Sequence, residues 1–304
     1  MSHHIQKMIQ KLLLAKLAPG ILIRRSQNQF LNHFRYKSMY YINGQYVKEE
    51  EAKISILDLC VLRGFGVFDY LRTYAGRPFH LKDHLQRLQY STEHIGLKLP
   101  HSLDEIENIV HTVLKNNNLT EASLKMLITG GISQDQLTPP SCGNLILFAY
   151  PFTPCPREFQ TNGIKVITTR LNRSIPTSKT TQYIPAILAL QQGKAQNAQE
   201  ALYLNTQEEI LEATTSNFFA FKEDTLYTCT SNEVLLGITQ EVVRQLASPH
   251  FPIITRALHY SDIATMQEAF ITSSNKEVVP VTQIDSMKIG NGLVGPKTDR
   301  KSVV

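Results

Sequence analysis

A two-domain α+β protein is the fold that this 304-residue sequence predicts, and three observations carry the prediction. The chain reaches the length at which one hydrophobic core usually gives way to two. From Met39 onward, short strand-like runs alternate with amphipathic helical runs. The segment PFTPCPREF at 151–159 places three prolines in nine residues and interrupts that alternation, as a linker would. The expected organisation is a basic N-terminal extension over 1–38, a small N-terminal domain over 39–150, a linker over 151–162 and a larger C-terminal domain over 163–304.

The extension carries Lys7, Lys11, Lys16, Arg24, Arg25, Arg35 and Lys37 and no acid. Its apolar residues, Leu12 to Leu14, Leu17 and Ile21 to Ile23, are broken by Lys16, Pro19 and Gly20. A secretory core is therefore not expected; an amphipathic surface helix, a targeting peptide and an extension ahead of a functional start at Met39 all remain open. The first domain opens with a hairpin, Tyr40 to Ile42 and Tyr46-Val47 around Asn43-Gly44, a dipeptide suited to a tight turn. A strand over 66–74 (GVFDYLRTY) follows, then a turn at 75–78. A helix carries Leu81, Leu85, Leu88 and Ile95, and a second spans about 103–116. Strands over 124–129 and 144–150 close the unit. The second domain begins with a strand over 164–169 and an irregular stretch to Lys179. An apolar helix over about 185–198, strands over 201–204 and 217–221 and a helix over about 240–246 complete the pattern.

Composition removes several classes of function. With 42% hydrophobic and 19% charged residues and no apolar run near the roughly 20 residues of a membrane span, an integral membrane protein is not expected. The net charge of +5 resides in the extension, because residues 39–304 hold 24 basic against 26 acidic residues. No nucleic-acid footprint follows. Cys60, Cys142, Cys155 and Cys229 are scattered without a C-x-x-C, so neither a metal site nor a disulfide framework is expected. Buried packing in a reducing, cytoplasmic setting is the expectation for each.

Three local features match what pyridoxal phosphate requires of a protein: an amine, a carboxylate for the pyridine nitrogen and a phosphate cup. Lys179 stands in RSIPTSK, ahead of TTQY and the apolar helix, where desolvation lowers an amine's pKa. Glu212 stands in EEILEATTSNFF between two strands. In LLGIT, Gly237 permits a turn into a helix whose first free N–H groups, those of Ile238 and Thr239, face an anion. Arg87, in HLQRL, has a guanidinium suited to phosphate, and Ser274, in ITSSN, adds a hydroxyl. Each feature alone is equally at home as a solvated side chain or a plain helix start.

The ordered series RGFGVFDYLRTY, HLQRL, IPTSKTTQY, LEATTSNFF, LLGIT, ITSSNKEVVPV and GLVGPKT resembles the class IV aminotransferases over roughly residues 40–298. That family has the pyridoxal phosphate fold type IV, a small α/β sandwich domain beside a larger β-barrel-like domain with helices. It includes branched-chain aminotransferases, D-amino acid aminotransferases and aminodeoxychorismate lyases. The resemblance implies pyridoxal 5′-phosphate as cofactor, Lys179 as its Schiff-base lysine and catalytic proton carrier, and Glu212 at the pyridine nitrogen. It places Arg87, Ile238, Thr239 and Ser274 at the phosphate, and Tyr183 near the cofactor hydroxyl, although one residue closer to the lysine than in branched-chain enzymes. It further implies a homodimer acting on a small amino acid and a 2-oxo acid, with no metal.

Departures narrow the expectation. D-amino acid enzymes carry an Arg-x-His carboxylate trap where this chain has Asp135 and Leu137, which disfavours D-specificity. The F-E-G-x-R of branched-chain enzymes becomes Phe68-Asp69-Tyr70-Leu71-Arg72, so Tyr70 crowds one pocket wall. Gln240 stands where an arginine commonly follows G-I-T, and relatives continue into a last helix beyond the position of Pro296. Phe68, Arg72 and Asn275 are the expected substrate contacts. An aminotransferase for apolar, branched-chain-like amino acids is preferred, an aminodeoxychorismate lyase releasing pyruvate and 4-aminobenzoate is the alternative, and a cofactor-binding protein without catalysis is the third reading.

Overall fold

A computed structural model describes residues 38–298. The basic extension expected over 1–38 therefore lies outside the described residues, apart from Ser38. Two sheets organise the rest. The first has six strands in the order β2-β1-β6-β5-β3-β4. These are β1 (Met39–Ile42), β2 (Gln45–Lys48), β3 (Gly66–Tyr74), β4 (Arg77–Pro78), β5 (Ala122–Thr129) and β6 (Asn144–Pro151). The β1–β2 turn takes positive φ at both Asn43 and Gly44, which that dipeptide accepts.

A short helix α1 (Leu59–Arg63) precedes β3, capped at its N-terminus by Asp58. Helices α2 (Leu81–His94) and α3 (Leu103–Asn116) cover one face of the sheet. Leu81, Leu85 and Leu88 of α2 and Ile106, Val110 and Val113 of α3 pack on Val67, Leu71, Leu124, Met126, Ile128 and Leu147. Because strand side chains alternate, this burial sends Phe68, Tyr70, Lys125 and Tyr150 to the opposite face. Register then makes them neighbours, with Tyr70 opposite Lys125 and Ser123 opposite Tyr150.

The second sheet is a closed barrel. β7 (Ile164–Thr169), β8 (Glu200–Leu204), β9 (Glu209–Ala213), β10 (Asn217–Lys222), β14 (Glu268–Ser273) and β15 (Glu277–Ile284) form a ring, closed where Asn217 of β10 pairs with Glu212 of β9. The short strands β11 (Thr225–Thr228), β12 (Ile253–Ile254), β13 (Leu258–His259) and β16 (Met287–Lys288) add to its rim. The barrel has its own core, including Val166, Leu202, Ile210, Phe218, Ile271 and Val281.

Three expectations change. The proline-rich segment is not wholly extended, because α4 (Arg157–Asn162) follows Pro156 within it. Proline fixes a φ that suits a helix start as well as a linker. The apolar helix, α5 (Ile184–Ala195), stops before 198, where Asn197 takes a φ of 56°. Of the cysteines only Cys229 is buried, Cys60 and Cys155 are partly so, and Cys142 is exposed in the loop before β6. Helix α6 (Ile238–Ala247) packs Val243 and Ala247 on Phe219, Phe221 and Phe270 outside the barrel.

Candidate active site

A cavity of about 290 Å³ lies between the outer face of the first sheet and the open end of the barrel. Phe68, Tyr70, Lys125 and Tyr150 form its wall on the first side. Lys179, Tyr183, Glu212, Asn217, Thr239 and Thr272 are among those on the other. Of the ten residues expected from sequence, Phe68, Arg87, Lys179, Tyr183, Glu212, Ile238, Thr239, Ser274 and Asn275 all line it. Arg72 does not.

Lys179 is presented by an irregular segment that lies against β3 like an added strand. Phe68 N–H donates to the Lys179 carbonyl at 2.8 Å, Thr181 N–H donates to the Gly66 carbonyl at 2.9 Å, and Val67 bridges Thr180. From α2, Ser91 Oγ accepts from Lys179 N–H at 3.2 Å. The amine sits 4.7 Å from the centre of the Phe68 ring. Burial and then the charge of Arg87 lower its pKa to about 7, so near neutral pH a substantial fraction of the amine is uncharged and nucleophilic.

Glu212 stands one residue from the end of β9 and is held from three sides. Arg173 Nη1 donates to Oε1 at 3.0 Å, Leu235 N–H to Oε1 at 3.2 Å and Asn217 Nδ2 to Oε2 at 3.4 Å. Burial pushes its pKa up and Arg173 opposes that push. The same guanidinium donates to the carbonyls of Pro176, at 2.8 Å, and Ser178, so it ties the lysine segment to the carboxylate.

Arg87 is anchored rather than loose. Its Nε and Nη2 grip the buried Asp69 carboxylate at 2.8 and 2.9 Å, His84 Nδ1 lies 2.7 Å from the same carboxylate, and Nη1 donates to the Leu236 carbonyl at 3.2 Å. The guanidinium and the imidazole hold Asp69 well below the usual carboxylate range. Next to Arg87 the N-terminus of α6 opens on the cavity. A Cβ at Gly237 would overlap Asn217 Oδ1, so any larger residue there would have to displace the Asn217 side chain. Gln240 takes over the cap, accepting from Gly237 N–H at 3.2 Å and donating to Thr228 Oγ1 and the Cys229 carbonyl. These bonds give the buried Gln240 a structural role at the start of α6.

These residues fit pyridoxal phosphate. The carboxylate, the low-pKa amine and the α6 N–H groups surround one space, and Thr272 Oγ1 on its lining is buried without a hydrogen-bond partner. Such an orphan hydroxyl is what a phosphate or water satisfies.

Arg72 corrects an expectation. Its guanidinium lies 4.0 and 3.5 Å from the ring centres of Tyr74 and Phe152 and pairs with Glu277 at 3.0 Å and Glu121 at 3.2 Å, away from the cavity. It is Lys125, partly buried on β5 and 5.6 Å from the Phe68 ring centre, that brings a cation to the first-sheet wall of the cavity. The sequence carried no strand register to point there. Arg173 and Tyr150 were likewise unassigned; the first stands in the lysine motif itself. Asp135 does not reach the cavity lining either. Its carboxylate accepts from Ser133, Leu137 and Thr138 within its own loop.

Comparison with known proteins agrees with this geometry. Residues 66–284 match the family model described as amino-transferase class IV. A Methanocaldococcus jannaschii protein named as a putative branched-chain-amino-acid aminotransferase is 33% identical, covering 86% of this chain and 92% of its own. A D-alanine aminotransferase of Staphylococcus epidermidis is 30% identical, covering 85% and 93%. The branched-chain amino acid aminotransferase of Escherichia coli superposes with a TM-score of 0.81 at 26% identity, covering 86% and 91%. A branched-chain amino acid aminotransferase of Thermoproteus uzoniensis, solved with norvaline, superposes with a TM-score of 0.78 at 25% identity, covering 86% and 91%. Another branched-chain enzyme of this fold was solved with pyridoxamine 5′-phosphate in place. A fold type IV architecture, a site suited to pyridoxal phosphate and a family match over most of the chain lead to one conclusion: the chain belongs to the class IV aminotransferases, pyridoxal phosphate-dependent enzymes.

Proposed function

We propose that this aminotransferase moves the amino group of an apolar, branched-chain-type L-amino acid to a 2-oxo acid. The observation that carries the reading is the substrate wall, where the Phe68 and Tyr183 rings meet at 5.5 Å between centres, tilted by 59°, beside Lys125, the one cation on the first-sheet face among the described cavity residues. Aromatic rings suit an apolar side chain, and an amine suits a carboxylate. Relatives named for branched-chain amino acids support the donor. The self-contained Asp135 loop supplies no trap of the D-enzyme kind.

Bound pyridoxal phosphate supplies an acceptor for the amino group and a sink for the electron pair left on the substrate α-carbon. Glu212, oriented by Arg173, would hold the pyridine nitrogen. Arg87, the N–H groups of Ile238 and Thr239, Ser274 and Thr272 would hold the phosphate. The Lys179 amine would anchor the cofactor carbon and afterwards move a proton between that carbon and the substrate α-carbon. Lys125 takes the substrate-carboxylate role expected of Arg72, together with the turn at Ser274 and Asn275.

Spectral titration of the yellow holoenzyme tests the donor. Leucine, isoleucine or valine should bleach the band above about 400 nm, and 2-oxoglutarate should restore it. If these amino acids leave the spectrum unchanged while aminodeoxychorismate yields pyruvate and 4-aminobenzoate, the lyase reading replaces this one.

We also propose a homodimer. Val61 and Leu62 of α1 share a groove with Ile184 of α5, and Val61, Ile184, Ile187 and Leu188 are 54%, 71%, 51% and 44% exposed. Light scattering should give twice the 34.4 kDa chain mass; a monomer at micromolar concentration would contradict this.

A further inference from the structure

Beside the cavity, Glu200 at the start of β8 is 1% exposed, a carboxylate with no water to solvate it. Its partners are the hydroxyls of Thr214 and Thr215 and the amine of Lys276. The Lys276 amine also reaches Thr215 Oγ1 at 2.7 Å and Ser216 Oγ at 3.4 Å.

Chain connectivity gives this cluster its significance. Thr214, Thr215 and Ser216 form the turn that follows Glu212, and all three line the cavity. Lys276 belongs to the β14–β15 turn, whose Ser274 and Asn275 also line it. The lysine therefore ties two cavity-lining turns to one buried carboxylate. On its other side the same turn is held by Glu277, which takes an unfavourable φ of 60° and accepts from Arg72 of β3 at 3.0 Å and from Tyr74 Oη at 3.0 Å. Two ion pairs of opposite polarity thus grip adjacent residues, one from the barrel and one from the first sheet. A residue strained in this way persists where its surroundings over-determine it.

We infer that Lys276, through Glu200, is a positioning residue that sets the β14–β15 turn to receive the substrate carboxylate. Its amine touches neither the cofactor space nor Lys179; it acts through Ser274 and Asn275 on one side and through Thr215 on the other. Removing the amine leaves the buried Glu200 carboxylate with the Thr214 and Thr215 hydroxyls but no opposite charge, which forces the 214–216 turn to rearrange. This inference rests on the aminotransferase reading for the identity of the substrate, not for the existence of the turn.

The test measures binding apart from turnover. Wild type, K276M, K276R and the double variant E200Q/K276M, which removes the stranded charge, are loaded with pyridoxal phosphate and titrated with 4-methylvaleric acid, an unreactive carboxylate. K276M and the double variant should bind it about tenfold to a hundredfold more weakly, with KM for the amino acid raised more than kcat is lowered, and K276R should recover most of the loss. Because the double variant carries no unpaired buried charge, it keeps the question answerable even where K276M fails to fold. Binding within twofold of wild type in the double variant overturns the inference, and so does an equal fall in kcat with unchanged affinity. A wild type that binds the carboxylate but transaminates no amino acid would instead overturn the aminotransferase reading, leaving the binding comparison to decide the role of Lys276.

Discussion

At the scale of single residues, the site is a set of charges taken out of water and compensated in place. Lys179 shows the consequence most directly. Its amine has a folded-state pKa of about 7 against an ordinary value of 10.5, because burial and Arg87 disfavour the ammonium. With a lowered pKa on a basic group, the unfolded chain binds the extra proton between the two values. Stability therefore rises with pH from about 7 to 10.5, and the amine is free to react above about 7. Capture of pyridoxal phosphate by the cofactor-free protein should thus accelerate as pH rises through about 7 and level off above about 8. Stopped-flow absorbance near 400 nm between pH 5.5 and 9.5 checks this; a rate still climbing tenfold per pH unit at pH 9 would show an ordinary, solvated lysine.

At the scale of elements, what the sequence made readable was periodic or punctuated. The β3 strand over 66–74, the α3 helix over 103–116 and the Asn43-Gly44 turn follow from alternation, helical spacing and turn chemistry. The rim strands β11 to β13 and β16, two to four residues long, carry too little pattern to read. The residues that line the cavity follow the same rule. Those inside local motifs, such as Lys179 and Gly237, could be named from sequence. Lys125 and Tyr150 could not, since their place depends on which strands pair and in which register. Arg72 was misassigned for a related reason: it shares strand parity with Phe68 and Tyr70, but Tyr74, Phe152, Glu121 and Glu277 draw its guanidinium aside.

Gly237 belongs to this scale because it joins two elements. A methyl group there would displace Asn217, which donates to the Leu235 carbonyl at 2.7 Å and to Glu212. Gly237→Ala should destabilise the protein by about 1–3 kcal/mol and weaken pyridoxal phosphate binding, because the α6 N-terminus and Glu212 shift together. Thermal melts and cofactor titration report both effects. An unchanged cofactor affinity would mean that the α6 N-terminus does not contribute to the phosphate cup.

At the scale of the whole molecule, two separate cores bring one sheet face and one barrel end together around a single cavity. They support the proposal that the chain divides into two domains, with the junction within 151–162. Under the proposed function the division matters for catalysis, since the C-terminal part carries Lys179 and Glu212 while the N-terminal part supplies Phe68, Tyr70, Lys125 and the Asp69-anchored Arg87. The central claim is that this cavity holds pyridoxal phosphate on Lys179, and every other lysine of the chain is an internal competitor. Borohydride reduction of the yellow protein, followed by proteolysis and mass spectrometry, reads all of them at once. Attachment at Lys179 predicts one phosphopyridoxyl group, on the peptide containing Lys179, and none in Lys179→Ala. Labelling at Lys125 or Lys276 instead, or a protein that stays colourless in excess cofactor, would contradict it.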